Sequence, residues 1–124
     1  VYLAPGGKHL KVRAQSSGQV QLLVTDDPPE NHCKPSVDTL FRSAALQFPG
    51  ASLAVVLTGM GNDGASGVQM LKRTGCPVLA QDEATSTVFG MPKAAIATGC
   101  VDEVLPLAQV AAALNRLSRT EDWR

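Results

Sequence analysis

The alternation of apolar and polar residues near the N-terminus predicts antiparallel strands. Residues 1–4 are apolar, and after a Pro-Gly-Gly turn residues 9–14 alternate as a half-buried strand does. A second turn leads into residues 19–25, a run rich in β-forming side chains. We therefore expect residues 1–4 and 9–14 to form a hairpin, extended by residues 19–25 into a meander.

Helical spacing follows a proline-rich loop at residues 26–35. Ser36 stands where a helix cap is expected, and the helix should run to about Phe48. Its predicted apolar face consists of Val37, Leu40, Phe41, Ala44 and Leu46.

The pattern changes at residue 54 to short, continuously apolar strands alternating with helices. Such strands are typical of a parallel sheet that is covered on both faces. The chain is thus predicted to be one α/β domain over residues 1–124, with a mainly parallel sheet flanked by helices. The predicted elements are strand 54–57, helix 64–73, strand 77–80, helix 92–98, strand 101–105 and helix 107–117. The core positions expected in the last helix are Leu107, Val110, Ala111, Leu114 and Leu117.

Composition narrows the functional classes. Apolar residues make up 44% and charged residues 18%, which indicates a folded chain, and eleven acidic residues balance eleven basic ones. This balance predicts no nucleic-acid partner. The longest apolar run, residues 53–57, is too short to insert in a membrane. Cys33, Cys76 and Cys100 form no C-x-x-C pair, so we expect reduced thiols of a cytoplasmic protein and neither a metal nor a cofactor.

The glycine-rich loop at residues 58–64 is the strongest candidate for chemistry, because ligands of open α/β sheets collect at the carboxyl ends of strands. Asp63 is the most promising functional side chain in it. The loop also matches G-x-G-x-x-G through Gly59, Gly61 and Gly64, with Asp82 after the next strand, as in dinucleotide-binding folds. A carboxylate beside the phosphate site argues against that alternative. A purely structural alternative makes Asp63 the cap of the helix that follows it.

Four short sequence motifs, which occur in a fixed order, carry a family resemblance. They are Tyr-Leu-Ala-Pro-Gly at 2–6, Lys-Pro-Ser-Val-Asp at 34–38, Leu-Thr-Gly-Met-Gly-Asn-Asp-Gly at 57–64 and Val-Phe-Gly-Met-Pro at 88–92. Together they resemble the catalytic domain of the bacterial chemotaxis-receptor protein-glutamate methylesterase, which also deamidates receptor glutamines. The resemblance runs from Val1 to about Leu117, and the motif at 57–64 is the most diagnostic. It makes the chain the C-terminal portion of that catalytic domain.

The resemblance implies a serine hydrolase that removes methyl esters from glutamate side chains on the cytoplasmic helices of chemotaxis receptors. Such enzymes combine a serine nucleophile, a histidine base and an orienting aspartate. Asp63 matches the aspartate of the family, and Met60 matches a position beside the substrate. No cofactor is implied.

The serine and the histidine of the family pattern fall upstream of Tyr2, as does a phosphorylatable receiver domain. We therefore expect residues 1–124 alone to be inactive. A second hypothesis is a receptor-binding module that has lost hydrolysis. His9 and His32 lie outside the histidine context of the family, and neither is expected to be catalytic.

Ser36, Ser66 and Ser86 do not lie in the sharp turn that exposes a hydrolase nucleophile, so capping and turn roles are expected for them. A parallel sheet without its first strands would also expose an edge through which the chain could self-associate.

Overall fold

A computed structural model describes residues 1–119, so the last five residues of the predicted 1–124 unit lie outside the described range. A two-stranded antiparallel hairpin precedes a three-stranded parallel sheet, which confirms the α/β class. The elements are β1 (His9–Ala14), β2 (Val20–Thr25), α1 (Val37–Gln47), β3 (Ala54–Val56), α2 (Ala65–Arg73), β4 (Val78–Gln81), α3 (Met91–Ala97), β5 (Glu103–Leu105) and α4 (Leu107–Ser118).

The N-terminal hairpin consists of β1 and β2 alone, with His9 opposite Thr25 and Ala14 opposite Val20. The prediction that residues 1–4 form a third strand is wrong. The far edge of β1 is already occupied, because its outward amides donate to side chains of α1. Val12 N donates to Ser43 Oγ at 3.0 Å and Ala14 N to Gln47 Oε1 at 3.1 Å. The hairpin is thereby fixed to α1.

Helix α1 packs between the hairpin and α2. Near the C-terminal end of α1, the residue on the buried face is Ala45 and not the predicted Leu46. Ala45 is 5% exposed, whereas Leu46 is 67% exposed. Ala45 follows Phe41 by four residues and stays on the same face, and one further residue turns Leu46 by about 100° away from it.

The parallel sheet has the order β3-β4-β5, and β4 lies in the middle. Its residues Val78, Leu79 and Ala80 are completely buried, as the continuous apolar pattern predicts. Helices α2 and α3 pack against β4, and the core includes Val56, Val68 and Leu71 with their neighbours. Within residues 1–119, β3 pairs with β4 alone, so its other edge carries unpaired backbone groups.

Helix α4 packs against β4 and β5 through a narrower face than predicted. Val110 and Ala113 are buried, whereas Leu107 and Ala111 are exposed.

The described part of the chain contains no helix that is both long and apolar enough to cross a bilayer. Because β3 and β4 are parallel neighbours, their carboxyl ends lie side by side at one end of the sheet. The candidate site lies at that end.

Candidate active site

The glycine-rich loop leaves the carboxyl end of β3 and is held there by a side chain of β4. Gln81, which is 1% exposed, accepts a hydrogen bond from Thr58 N at 2.8 Å through Oε1. Its Nε2 donates to the carbonyl oxygen of Thr85 at 2.8 Å. The sequence reasoning missed Gln81, although one polar residue at the end of the buried apolar run 78–80 was an available signal. Gln81 joins the loops that follow β3 and β4.

A second loop, residues 88–90, lies directly against the glycine-rich loop. Gly59 forms a parallel bridge with Phe89, Gly59 N donates to Val88 O at 3.0 Å, and Met91 N donates to Gly59 O at 2.8 Å. The approach is too close for side chains. A β-carbon at Gly90 would lie 2.8 Å from Gly59 O. Two of the sequence motifs, 57–64 and 88–92, therefore form one structural unit.

Asp63 is 4% exposed, and its carboxylate accepts from four donors. Its Oδ1 accepts from Ser36 Oγ at 2.8 Å, from Asp38 N at 3.1 Å and from Asn31 Nδ2 at 3.1 Å. Its Oδ2 accepts from Val37 N at 2.7 Å. The two backbone donors are the first amides of α1. Asp63 therefore caps α1, a helix that precedes it in the sequence.

The alternative that Asp63 caps its own helix is wrong. Helix α2 has Gly64 at its N-cap, in the left-handed region at φ 99°, and no side-chain cap bond is formed by that residue. The left-handed turn at Gly64, which glycine adopts without steric cost, separates Asp63 from the first turn of α2. The carboxylate thus reaches across to the neighbouring helix.

The environment of Asp63 favours its ionised form. Burial raises the pKa of this carboxyl, but hydrogen bonds lower it by more, so that the pKa lies below the ordinary value of 3.8. The donors responsible are Val37 N, Asp38 N, Ser36 Oγ and Asn31 Nδ2. Asp63 is consequently a carboxylate near neutral pH and is available as a hydrogen-bond acceptor.

A second buried carboxylate completes the arrangement. Asp38, in the first turn of α1 and 5% exposed, accepts from Gly67 N in α2 through Oδ1 at 2.7 Å. Its Oδ2 accepts from Asn31 Nδ2 at 2.7 Å. A β-carbon at Gly67 would lie 2.5 Å from the Cβ of Phe41, so the glycine permits the close approach of α1 and α2 that this bond needs.

The dinucleotide alternative is disfavoured by these charges. The first turn of α2 would have to receive the pyrophosphate, but its Gly67 amide already bonds to the carboxylate of Asp38. Asp82, the candidate ribose ligand, accepts instead from Thr85 N at 3.0 Å and from Thr85 Oγ1 at 2.6 Å. Asp38 therefore joins two helices and Asp82 closes a local turn, and both carboxylates have structural partners.

Met60 lies at the tip of the glycine-rich loop and is 83% exposed. Two further apolar side chains on the paired loops are partly exposed, Leu57 at 42% and Val88 at 44%. The loops thus present apolar surface to solvent close to the end of β3. The roles of Met60 in substrate contact and of Asp63 in catalysis stay predictions.

Three of the histidines and serines considered as bases or nucleophiles, His9, Ser36 and Ser86, have structural hydrogen bonds within the fold. His9 is 1% exposed, with Nδ1 accepting from Ser36 N at 3.2 Å and Nε2 donating to Pro28 O at 2.9 Å. Both ring nitrogens of His9 are therefore engaged in the fold. Ser36 occupies the N-cap position of α1, but its hydroxyl donates to Asp63 and does not cap the helix itself. Ser86 Oγ donates to Asp82 O at 2.6 Å, a turn contact.

Comparisons of the sequence and of the structure with known proteins match this chain to the same family. The sequence pattern of the family described as CheB methylesterase matches residues 1–114. The crystal structure of the CheB methylesterase catalytic domain of Thermotoga maritima superposes with a TM-score of 0.90 at 40% identity. That superposition covers 94% of this chain and 61% of the Thermotoga chain.

Similar relatives are named protein-glutamate methylesterase/protein-glutamine glutaminase. The Desulfotalea psychrophila protein is 47% identical over 111 residues, which are 89% of this chain and 30% of the relative. The Rhizobium meliloti protein of the group 3 operon is 51% identical over 119 residues, which are 96% of this chain and 32% of the relative. The chain therefore spans about a third of the length of these relatives.

Proposed function

Because the chain belongs to the CheB methylesterase family, we propose that it supplies the orienting aspartate and part of the substrate cleft of a protein-glutamate methylesterase. The relatives are named for methylesterase action on protein glutamates and glutaminase action on protein glutamines. The whole protein is proposed to carry out both reactions, with chemotaxis receptors as the substrates that the sequence resemblance implies. The serine nucleophile and the histidine base would come from the parent protein outside residues 1–124.

The carboxylate of Asp63 carries the proposal. A carboxylate has about four acceptor sites, two on each oxygen. Among the described residues Oδ1 accepts three hydrogen bonds and Oδ2 accepts one, from Val37 N. Oδ2 therefore has capacity for one more donor, and the ring N–H of a histidine is the donor that a catalytic triad requires.

The proposed chemistry follows from that contact. The histidine takes the proton of the serine hydroxyl while the serine oxygen attacks the ester carbonyl, and the imidazolium that forms is stabilised by the ionised Asp63. Methanol leaves, and water then releases the glutamate from the serine. The exposed Met60 is proposed to contact the ester group of the substrate.

The setting of the proposed reaction is the cytoplasm, where the methylated helices of the receptors would be the partners. The free cysteines Cys33, Cys76 and Cys100 are compatible with that reducing compartment.

Release of methanol from methylated receptor by the whole parent protein tests the proposal. Asp63→Ala should lower kcat by about 10⁴-fold, the order found when the orienting aspartate of a triad is lost. Asp82→Ala is the matched control, because it removes a carboxylate from a neighbouring loop without touching Asp63, and its kcat should stay near that of the wild type.

Retention of full activity by Asp63→Ala would remove Asp63 from the mechanism. A wild-type protein that binds the receptor and releases no methanol would instead be the receptor-binding module that has lost hydrolysis. Circular dichroism of both variants establishes that each is folded before rates are compared.

A further inference from the structure

We propose that Asn31 is a positioning residue for the proposed reaction, since its side-chain amide bridges the carboxylates of Asp63 and Asp38 and fixes the direction in which Asp63 presents its free acceptor site. The inference rests on the proposed function of Asp63. It concerns a residue in the proline-rich loop before α1, which lies 32 positions away from Asp63 in the sequence.

The bridge uses both hydrogens of one nitrogen. Asn31 Nδ2 donates to Asp38 Oδ2 at 2.7 Å and to Asp63 Oδ1 at 3.1 Å. The other three donors to Asp63 all come from consecutive residues at the start of α1. Asn31 therefore approaches from a separate element, and a carboxylate held from two elements has less freedom to rotate about its Cβ–Cγ bond.

The bridge also separates two buried negative charges. Asp38 and Asp63 are each stabilised by amides of a helix N-terminus, and both contact the same nitrogen. Without the amide, the oxygens that it joins would face each other with no donor between them. Repulsion would then turn Asp63 about its own side-chain bonds and move Oδ2 away from the incoming histidine.

The loop that carries Asn31 is itself anchored. Glu30 and Cys33 exchange backbone hydrogen bonds at 3.0 and 2.9 Å, which closes the turn around Asn31. The carboxylate of Glu30 is held by Arg42 of α1 at 2.5 to 2.9 Å and by Thr39 Oγ1 at 3.0 Å. The amide of Asn31 is thus placed by α1 before any substrate binds, which is what positioning requires.

The backbone of Asn31 determines which substitution is informative. Asn31 has φ 55°, in the left-handed region that asparagine and glycine tolerate. Asn31→Gly removes the amide and keeps a permitted backbone, whereas alanine would add strain. The next residue, His32, has φ 60°, is exposed, and none of its side-chain atoms forms a hydrogen bond within residues 1–119. His32→Gly is therefore a matched control in the same turn.

The experiment measures kcat and KM for methanol release from methylated receptor by the whole protein. Asn31→Gly should lower kcat by about tenfold or more with KM nearly unchanged, because misplacement of a catalytic group slows the chemical step. His32→Gly should keep kcat within about twofold of the wild type. Asn31→Asp replaces the bridging donor by a third carboxylate at the same size, and its kcat should fall further than that of Asn31→Gly.

Partial unfolding would also lower the apparent kcat without changing KM, so thermal unfolding of each variant gives the folded fraction at the assay temperature, and kcat is expressed per folded protein. Equal kcat values for Asn31→Gly and His32→Gly, with Asp63→Ala inactive, would overturn the role of Asn31 and leave the proposed function standing. Equal rates for the wild type and Asp63→Ala would overturn the proposed function itself, and the role of Asn31 with it.

Discussion

Asp38 and Asp63 cap each other's helices: Asp63, which precedes α2, accepts from the first amides of α1, and Asp38, in the first turn of α1, accepts from Gly67 N in α2. Each carboxylate therefore lies at the positive, N-terminal end of the helix that belongs to the other residue's segment. The two helices are thereby joined at their N-termini, and the proposed triad aspartate is part of that joint.

Removal of Asp63 should destabilise the protein as well as inactivate it. Asp63→Ala leaves the first amides of α1 without their acceptors, and a lost helix cap with buried charged hydrogen bonds costs about 2 kcal/mol or more. Urea unfolding followed by circular dichroism measures the change in the free energy of unfolding. Glu83→Ala, at an exposed position, should stay within about 0.5 kcal/mol of the wild type. Equal stability of the two variants would contradict the capping role.

The two aspartates should be energetically coupled. Asn31 contacts both carboxylates, so the effect of losing one depends on the presence of the other. A double-mutant cycle with Asp38→Ala and Asp63→Ala should give a coupling free energy of about 0.5 to 3 kcal/mol. Additive effects on the unfolding free energy would show that the two helix caps act independently.

The stabilising effect of Asp63 should disappear in acid. Its folded-state pKa lies below 3.8, the ordinary value expected in the unfolded chain, so the folded protein binds this proton less readily. The contribution of Asp63 is therefore fully present above the unfolded pKa and is lost as the pH falls through the lower folded pKa. The difference in unfolding free energy between the wild type and Asp63→Asn should be constant near neutral pH and shrink below about pH 4. A difference that stays constant down to pH 2 would contradict the assignment.

Two glycines in the paired loops should differ in their tolerance of alanine. A β-carbon at Gly90 would meet the backbone oxygen of Gly59 at 2.8 Å, and one at Gly59 would meet the side-chain Sδ of Met91 at 2.5 Å. Because a methionine side chain can move and a loop backbone cannot do so without breaking its hydrogen bonds, Gly90→Ala should destabilise the protein more than Gly59→Ala. Thermal unfolding of the two variants measures the order, and the reverse order would show that these loops are not held together as described.

Residues 1–124 produced on their own should self-associate. Within the described residues one edge of β3 carries unpaired backbone groups, and Val1, Tyr2 and Leu3 are highly exposed. Multi-angle light scattering should give a mass above that of the 13.0 kDa monomer. A monodisperse monomer over a range of concentrations would contradict this expectation.

Much of the fold was predictable because local patterns and the packing agree. The buried strand β4 and helices α1 to α4 follow from apolar spacing and turn residues, and the predicted limits of β1 match the structure. The prediction of a third N-terminal strand was wrong because Ser43 and Gln47 of α1 accept hydrogen bonds from the edge of β1 where that strand would pair. The local sequence pattern of residues 1–4 does not indicate that these side chains compete for the edge.

The candidate site was predictable only in part. Asp63 could be singled out by its glycine-rich loop, but its partners Asn31, Ser36 and Asp38 are 25 to 32 residues away in the sequence. The structural alternative for Asp63 placed its carboxylate at the nearest helix, α2, whereas the left-handed turn at Gly64 separates it from α2 and the carboxylate bonds to the first amides of α1. Contacts of this kind depend on how two helices pack, which spacing alone does not determine.

Because the carboxylate of Asp63 maintains the joint between α1 and α2, natural selection has a reason to keep it that is separate from the proposed catalytic role. A descendant that abandoned hydrolysis would still lose folded protein if this aspartate mutated. Aspartate at this position in a distant homologue is accordingly evidence of an intact scaffold first, and the serine and histidine must be found before the homologue is counted as an active hydrolase.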